Sequence, residues 1–225
     1  MTGVFCGVLS RGTVPTRWAF RFRELELPQG SRVELVEDLP FDHARNAVVQ
    51  MALDEEYEWL FFLDDDVLPP PDAVDRLISH KLPIVSGLYY RRQRPIHPVM
   101  YYDGRPFPTP VKDFVQGTLF EVDLVGAGCL LIHKTVLTKV HKPLFQWTMD
   151  RDDLPIRDCT GEDIYFCRKA KEAGFKIHID TSVACSHMGY GEVTPNGVFR
   201  PVGKRRGDER YIRHDTEVNE AQLQE

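Results

Sequence analysis

Short apolar runs alternate along the chain with segments whose apolar residues recur at helical spacing. Residues 3–10 (GVFCGVLS) read as a strand that runs into a turn-forming loop at 11–15. Residues 16–27 place Trp18, Phe22 and Leu25 at helical spacing. Residues 33–36 (VELV) read as a second strand. Residues 41–53 then carry the stripe Ala44, Val48, Met51 and Ala52, with Asp42 expected as the cap. The apolar run 59–63 is too short to span a membrane and reads as a buried strand. Three prolines at 69–71 open another helix, with Asp72 in its first turn and Val74, Leu77 and Ile78 on its buried face. Residues 82–88 (LPIVSGL) form the next strand.

This order predicts an α/β protein with a Rossmann-like, mostly parallel central sheet and helices on both faces. Ligands of such sheets sit at the carboxyl ends of the strands, where Ser10, Glu37 and the run Asp64-Asp65-Asp66 fall. The pattern changes after Tyr89. A basic, proline-bearing stretch at 89–98 leads into short strands and loops up to residue 125. A strand at 129–132, a helix at 134–140 and a polar loop at 144–157 follow. A helix at 163–173 then precedes strands at 175–180 and 183–187. From Gly191 the chain is charged and contains the run Lys204-Arg205-Arg206. One domain over 1–190 and a mobile or partly ordered tail over 191–225 are therefore expected.

Three adjacent carboxylates at the end of an apolar strand repel one another, and burying any of them calls for a counter-charge. A divalent cation with oxygen ligands supplies it most simply. In extended chain Asp64 and Asp66 point the same way and can face one metal. A solvated acidic turn is the plainer alternative. His187, after a strand, is either structural or a third ligand; imidazole with two carboxylates suits Mn²⁺ or Fe²⁺ better than Ca²⁺. Thr160-Gly161-Glu162-Asp163 opens a helix and has the form of a capping pattern. Glu162 or Asp163 is equally a candidate general base for a substrate hydroxyl. Arg45-Asn46 begins the helix after strand two. It is a solvated helix face or a contact to a nucleotide. Arg91, Arg92 and Arg94 follow a strand end and can complement phosphates. Gly126-Ala127-Gly128 lies outside a Rossmann context and is weak alone.

Composition narrows these options. At 225 residues with 42% hydrophobic residues, the chain has enough apolar material for one sizeable core. A net charge of −6 disfavours general nucleic-acid or membrane-surface binding. No signal peptide and no membrane span are expected from the start MTGVFCGVLSRG. Five cysteines without a C-x-x-C pair predict reduced thiols and a cytoplasmic location, and the spacing of Cys159, Cys167, Cys185 and His187 matches no zinc pattern.

The ordered set of the Arg45-Asn46 helix, Asp64-Asp65-Asp66 after an apolar strand, Gly126-Ala127-Gly128-Cys129, Gly161-Glu162-Asp163 and His187 resembles a GT-A fold glycosyltransferase. It is close to the family 2 type and to small phage and prokaryotic enzymes. The resemblance covers roughly residues 3–190. It implies Mn²⁺ or Mg²⁺ held by Asp64, Asp66 and His187 on the diphosphate of a nucleoside-diphosphate sugar, with Asp66 expected as a direct ligand. Asp65 would face the ribose or sugar, and Ser10, Arg11 and Glu37 would bracket the nucleotide. Arg45, Arg91 and Gly126 complete the implied donor site, while Glu162 and Asp163 would sit near an acceptor of unspecified chemistry. By analogy the late histidine leans toward retention of configuration. Strand two reads Glu37-Asp38-Leu39-Pro40 where the family usually has an Asn/Asp-x-Ser-x-Asp run. Two other classes remain. One is a haloacid-dehalogenase-like phosphohydrolase with Asp64 as nucleophile. The other is an inactive nucleotide-sugar-binding module.

Overall fold

The computed structural model describes residues 3–104, 108–148, 160–189 and 191–201. In chain order the elements are β1 (Val4–Ser10), α1 (Thr16–Phe22), β2 (Arg32–Glu37), α2 (Phe41–Asp54), β3 (Trp59–Asp64), β4 (Val67–Leu68), α3 (Ala73–Ser79) and β5 (Ile84–Leu88). Next come β6 (Met100–Tyr102), β7 (Thr109–Pro110), β8 (Leu119–Val122), β9 (Leu124–Val125), β10 (Cys129–His133) and α4 (Lys134–Lys139). The last are α5 (Glu162–Glu172), β11 (Ile177–Ala184), β12 (Ser186–Met188), β13 (Gly191–Val193) and β14 (Phe199–Pro201).

A seven-stranded sheet in the order β2-β1-β3-β10-β5-β11-β8 forms the body. Strands β1, β2, β3, β5 and β11 run one way, and β10 and β8 run against them. The sheet is thus mixed rather than uniformly parallel. The excursion after β5 returns from the far side, so β10 enters between β3 and β5 in reverse.

The inner strands β1, β3 and β10 are apolar almost throughout because both faces are covered, whereas the edge strands β2 and β8 carry charged, exposed positions. Phe5, Leu9, Leu60, Phe62, Leu130 and Ile132 pack with residues of α2, α4 and α5. Val4, Cys6, Val8, Phe61, Leu63 and Leu131 pack with residues of α1 and α3. This period of two is what a strand buried on both faces requires. The cysteines at 6, 129, 167 and 185 are free and buried, whereas Cys159 lies outside the described residues.

A four-stranded sheet, β14-β13-β12-β4, is antiparallel and begins at the end of the acidic run. The expected tail boundary at Gly191 therefore needs correction, since it falls inside a ladder that continues through β13 and β14. The run 204–206 lies outside the described residues. A third sheet has the order β7-β6-β9.

Three local expectations also change. Helix α1 ends at Phe22, short of 27. Asp42 does not cap α2; Pro40 holds the cap position, and Asp42 accepts from the neighbouring His43 N–H instead. Thr160 does not cap α5, because its backbone is paired with Thr148 and Gly161 occupies the cap position. The loop expected at 144–157 is described only as far as Thr148.

Candidate active site

The acidic run sits at the carboxyl end of β3, in the middle of the sheet. Trp18 of α1 fixes its shape. The indole N–H lies 3.0 Å from both the Asp64 and the Val67 carbonyls and bridges the turn between them. Asp65 N–H bonds to the Leu9 carbonyl (3.3 Å) and Asp64 N–H to the Gly128 carbonyl (3.1 Å). Trp18 reads in sequence only as a core residue, and nothing in its spacing reveals this role.

Because residues 65–66 form a turn, extended-chain geometry does not hold, and Asp64 and Asp66 have different partners. Asp66 faces β12. The pairing of His187 with Val67 brings the imidazole beside it, with Nε2 3.4 Å from Asp66 Oδ1. Met188 N–H bonds to the Asp66 carbonyl (2.7 Å) and holds this register. Arg92 pairs with Asp66 Oδ2 and also reaches the Met188 carbonyl at 3.3 Å. Burial alone would raise the Asp66 pKa. The hydrogen bond and charge of His187, with the charges of Arg92 and Arg11, outweigh it and hold the carboxyl below the usual range.

Asp64 turns instead to Arg45. The Arg45 side chain is buried at 2% exposure, and its three nitrogens all have partners. Nη2 bonds to Asp64 Oδ1 at 2.9 Å, Nε to Glu162 Oε1 at 3.2 Å and Nη1 to the Ala127 carbonyl at 3.4 Å. The guanidinium also lies 5.1 Å from the Phe62 ring centre and 6.0 Å from that of Phe145. Phe145 is held in turn by Asn46, whose amide bonds to the backbone of Leu144 and Phe145. The dipeptide Arg45-Asn46 is thus an internal brace, and neither side chain is open to a nucleotide.

Glu162 is buried against Arg45. Asp163 is half-buried; its Oδ1 accepts from the Ile164 N–H at 2.7 Å. Burial and the adjacent Glu162 charge push its carboxyl up to about 7, against the opposing charge of Arg45. Since the folded pKa exceeds the unfolded one, its contribution to stability is full below the ordinary value of 3.8 and is lost as pH rises through about 7. The melting-temperature gain of Asp163→Asn over wild type should therefore grow from about pH 4 to about pH 7 and stay flat above. Calorimetry across that range checks it.

The first loop adjoins the acidic turn. Arg11 N–H bonds to Asp65 Oδ2 at 3.3 Å, Gly12 N–H bonds to Ser10 Oγ at 3.1 Å, and the Arg11 guanidinium lies 4.9 Å from the Phe41 ring centre. Burial raises the Asp65 carboxyl, opposed by its hydrogen bond to Ser10. Glu37 pairs in register with Ser10, and its side chain is exposed. Arg91 is also exposed, with its backbone bonded to His97. Its neighbour Arg92 is the arginine that meets the carboxylates. Gly126 and Gly128 serve close packing. A Cβ on Gly126 would overlap the Tyr89 hydroxyl, and one on Gly128 would lie 2.9 Å from Val67 and 3.1 Å from Asp64 Oδ2. Gly126→Ala should lower stability by about 1–3 kcal/mol through overpacking, read as a shifted urea midpoint at constant slope.

Asp66 and His187 supply two of the donors that a divalent cation would take, with Arg92 on the second Asp66 oxygen. His187 Nδ1 lies 2.8 Å from the Tyr90 carbonyl, which can only accept, so Nδ1 carries a proton, and Nε2 is the nitrogen that would face a cation in place of its contact with Asp66. An imidazole nitrogen beside a carboxylate oxygen suits Mn²⁺. Among the described residues no three His, Cys, Asp or Glu side chains gather into a complete cage. Any cation here would need further ligands, and Mg²⁺-type sites commonly take them from phosphate and water. A cleft of about 550 Å³ lined by Trp59, Lys81 and His133 opens at the opposite end of β3, away from the carboxylates. Among the described residues no helix is long and apolar enough to cross a membrane.

No family model and no curated protein matches the chain. Among solved structures, A197 from STIV aligns over 90% of this chain and 95% of its own, with a TM-score of 0.65 at 19% identity. A glycosyltransferase involved in the glycosylation of the major capsid of PBCV-1 aligns over 60% of this chain and 62% of its own, at 15% identity and a TM-score of 0.32, a likeness too slight to argue from. The chain is an α/β protein that shares its fold with A197 from STIV, and its chemistry has to be read from the site.

Proposed function

We propose that this chain is a metal-dependent glycosyltransferase of the GT-A type. It would move a sugar from a nucleoside-diphosphate sugar to an acceptor hydroxyl. The observation that carries the reading is the division of labour at the strand ends. Asp66, His187 and Arg92 form one cluster, while Arg45 pairs with Asp64 and with Glu162, the neighbour of Asp163, whose carboxyl is raised by burial and by the Glu162 charge.

That division suits the reaction. As the glycosidic bond breaks, the leaving diphosphate gains charge. Asp66 and His187 would hold Mn²⁺ or Mg²⁺, which when bound neutralises that charge. Arg92 and Arg11 add fixed positive charge on the same side. Asp65, held by Ser10 and Arg11, is placed to accept hydroxyls of the ribose or sugar. Asp163 takes the proton of the attacking hydroxyl, and a carboxyl near pH 7 is well matched to that task. Attack assisted by a base on the face opposite the leaving group inverts the anomeric centre. This departs from the retention suggested by the late histidine. A phosphohydrolase with Asp64 as nucleophile is less favoured, because the Asp64 carboxylate is bonded to a buried guanidinium.

The test is a thermal-shift panel of UDP-, GDP-, CMP- and dTDP-sugars with Mn²⁺. One donor at about 100 times its Kd should add about 2.7 kcal/mol of stability. The gain should vanish in His187→Ala. Cleavage of simple phosphate esters without stabilisation by any donor would overturn the reading.

A further inference from the structure

The acidic site contains two pairs of carboxylates that the sequence leaves equivalent, Asp64 with Asp66 and Glu162 with Asp163. One side chain touches a single member of each pair. We propose that Arg45 is a positioning residue that sorts these carboxylates, binding Asp64 and Glu162 and leaving Asp66 to a divalent cation and Asp163 to the acceptor hydroxyl. The inference rests on the glycosyltransferase reading above.

The geometry gives Arg45 little choice of partners. A guanidinium is a planar fork with fixed donor directions. Here Nη2 points to Asp64 and Nε to Glu162, while Nη1 is fixed by the Ala127 carbonyl just before Gly128. The rings of Phe62 and Phe145 lie against it, and Asn46 on the same helix secures Phe145. The partners are equally confined. Asp64 Oδ2 lies so close to Gly128 that a Cβ there would stand 3.1 Å away, and Glu162 is 6% exposed. Asp64 and Glu162 share the buried Arg45 guanidinium. Among the described residues Asp66 pairs with Arg92 and His187 and not with Arg45. Among the described residues Asp163 accepts a hydrogen bond from a backbone N–H, that of Ile164. The groups facing Asp163 are Glu162 and Cys167 of its own helix, Arg45 of α2, Asp64 at the end of β3, Tyr89 after β5 and Tyr101 of β6.

A buried ion cluster with a purely architectural role would leave the functions of the two pairs undetermined, and shape-conserving variants of the full chain separate the cases. Mn²⁺ binding, followed by loss of the free-ion EPR signal, is measured for Asp64→Asn and Asp66→Asn. Asp66→Asn should weaken binding by more than the ~10–100-fold that loss of an outer partner costs, and Asp64→Asn by less than about tenfold. Glu162→Gln should shift the midpoint of the kcat–pH profile downward with donor KM unchanged, a change that an architectural role does not produce. Equal loss of Mn²⁺ in Asp64→Asn and Asp66→Asn, or an unmoved midpoint in Glu162→Gln, overturns the sorting and leaves the transferase reading standing. A wild-type chain that binds no Mn²⁺ with or without donor overturns both.

Discussion

Replacing Asp66 by alanine should lower kcat/KM for sugar transfer by about a thousandfold, or about 4 kcal/mol of transition-state stabilisation at 1.36 kcal/mol per tenfold. Three features of the site concentrate the effect on this residue. Asp66 is the carboxylate against His187 Nε2, so it supplies half of the donor pair that fits a cation. It also carries the Arg92 ion pair, and its loss frees that guanidinium to swing away from the leaving diphosphate. Its backbone carbonyl accepts from Met188 in any variant, so β12 stays docked and the loss falls on chemistry more than on folding. A melting curve close to wild type, with the rate loss, is the expected pair of results. Activity within tenfold of wild type would contradict the role given to Asp66.

Arg45→Met should destabilise the fold by about 3–5 kcal/mol, because two carboxylates would lose the guanidinium that compensates them. Methionine restores much of the volume between Phe62 and Phe145, so the loss reports charge and hydrogen bonds more than a cavity. Urea unfolding should show a lower midpoint at constant slope. The double variant Arg45→Met with Glu162→Gln should recover part of the loss, since one stranded charge is then gone. A coupling of about 0.5–3 kcal/mol is expected for residues in direct contact. A single variant that loses under about 1 kcal/mol would mean that water or rearrangement compensates Asp64 and Glu162, and the brace would not be one.

The periodicity of the chain makes the first half of the fold readable. Strand β3 is apolar on both faces because helices cover both, and its run from Trp59 to Leu63 can be recognised without any structure. The reversed insertion of β10 is not readable, because an apolar strand has the same pattern in either direction. Strand β4 is two residues long and reads as the approach to three prolines. Yet its pairing with β12 is what brings His187 to Asp66. Arg45 reads as a surface or ligand-binding arginine, since a sequence does not reveal that two carboxylates will meet a charge inside the core. Arg91 and Arg92 differ by one position at the start of a bend, so no strand periodicity in the sequence separates them. Arg92 meets the carboxylates while Arg91 points to solvent. What the sequence does make legible is that the acidic run and the Glu162-Asp163 pair need partners, because carboxylates at a strand end and at a helix start call for them wherever the chain goes.

The measurement that tests the central claim most directly is identification of the nucleotide released from a donor panel in Mn²⁺, together with the anomeric configuration of the sugar product by NMR. The account predicts a nucleoside diphosphate and a sugar of inverted configuration, with a rate midpoint above the ordinary carboxylate range, as burial and Glu162 raise Asp163. Release of a nucleoside monophosphate with a sugar phosphate would show that the phosphate bridge is cut instead of the glycosidic bond, and would contradict it.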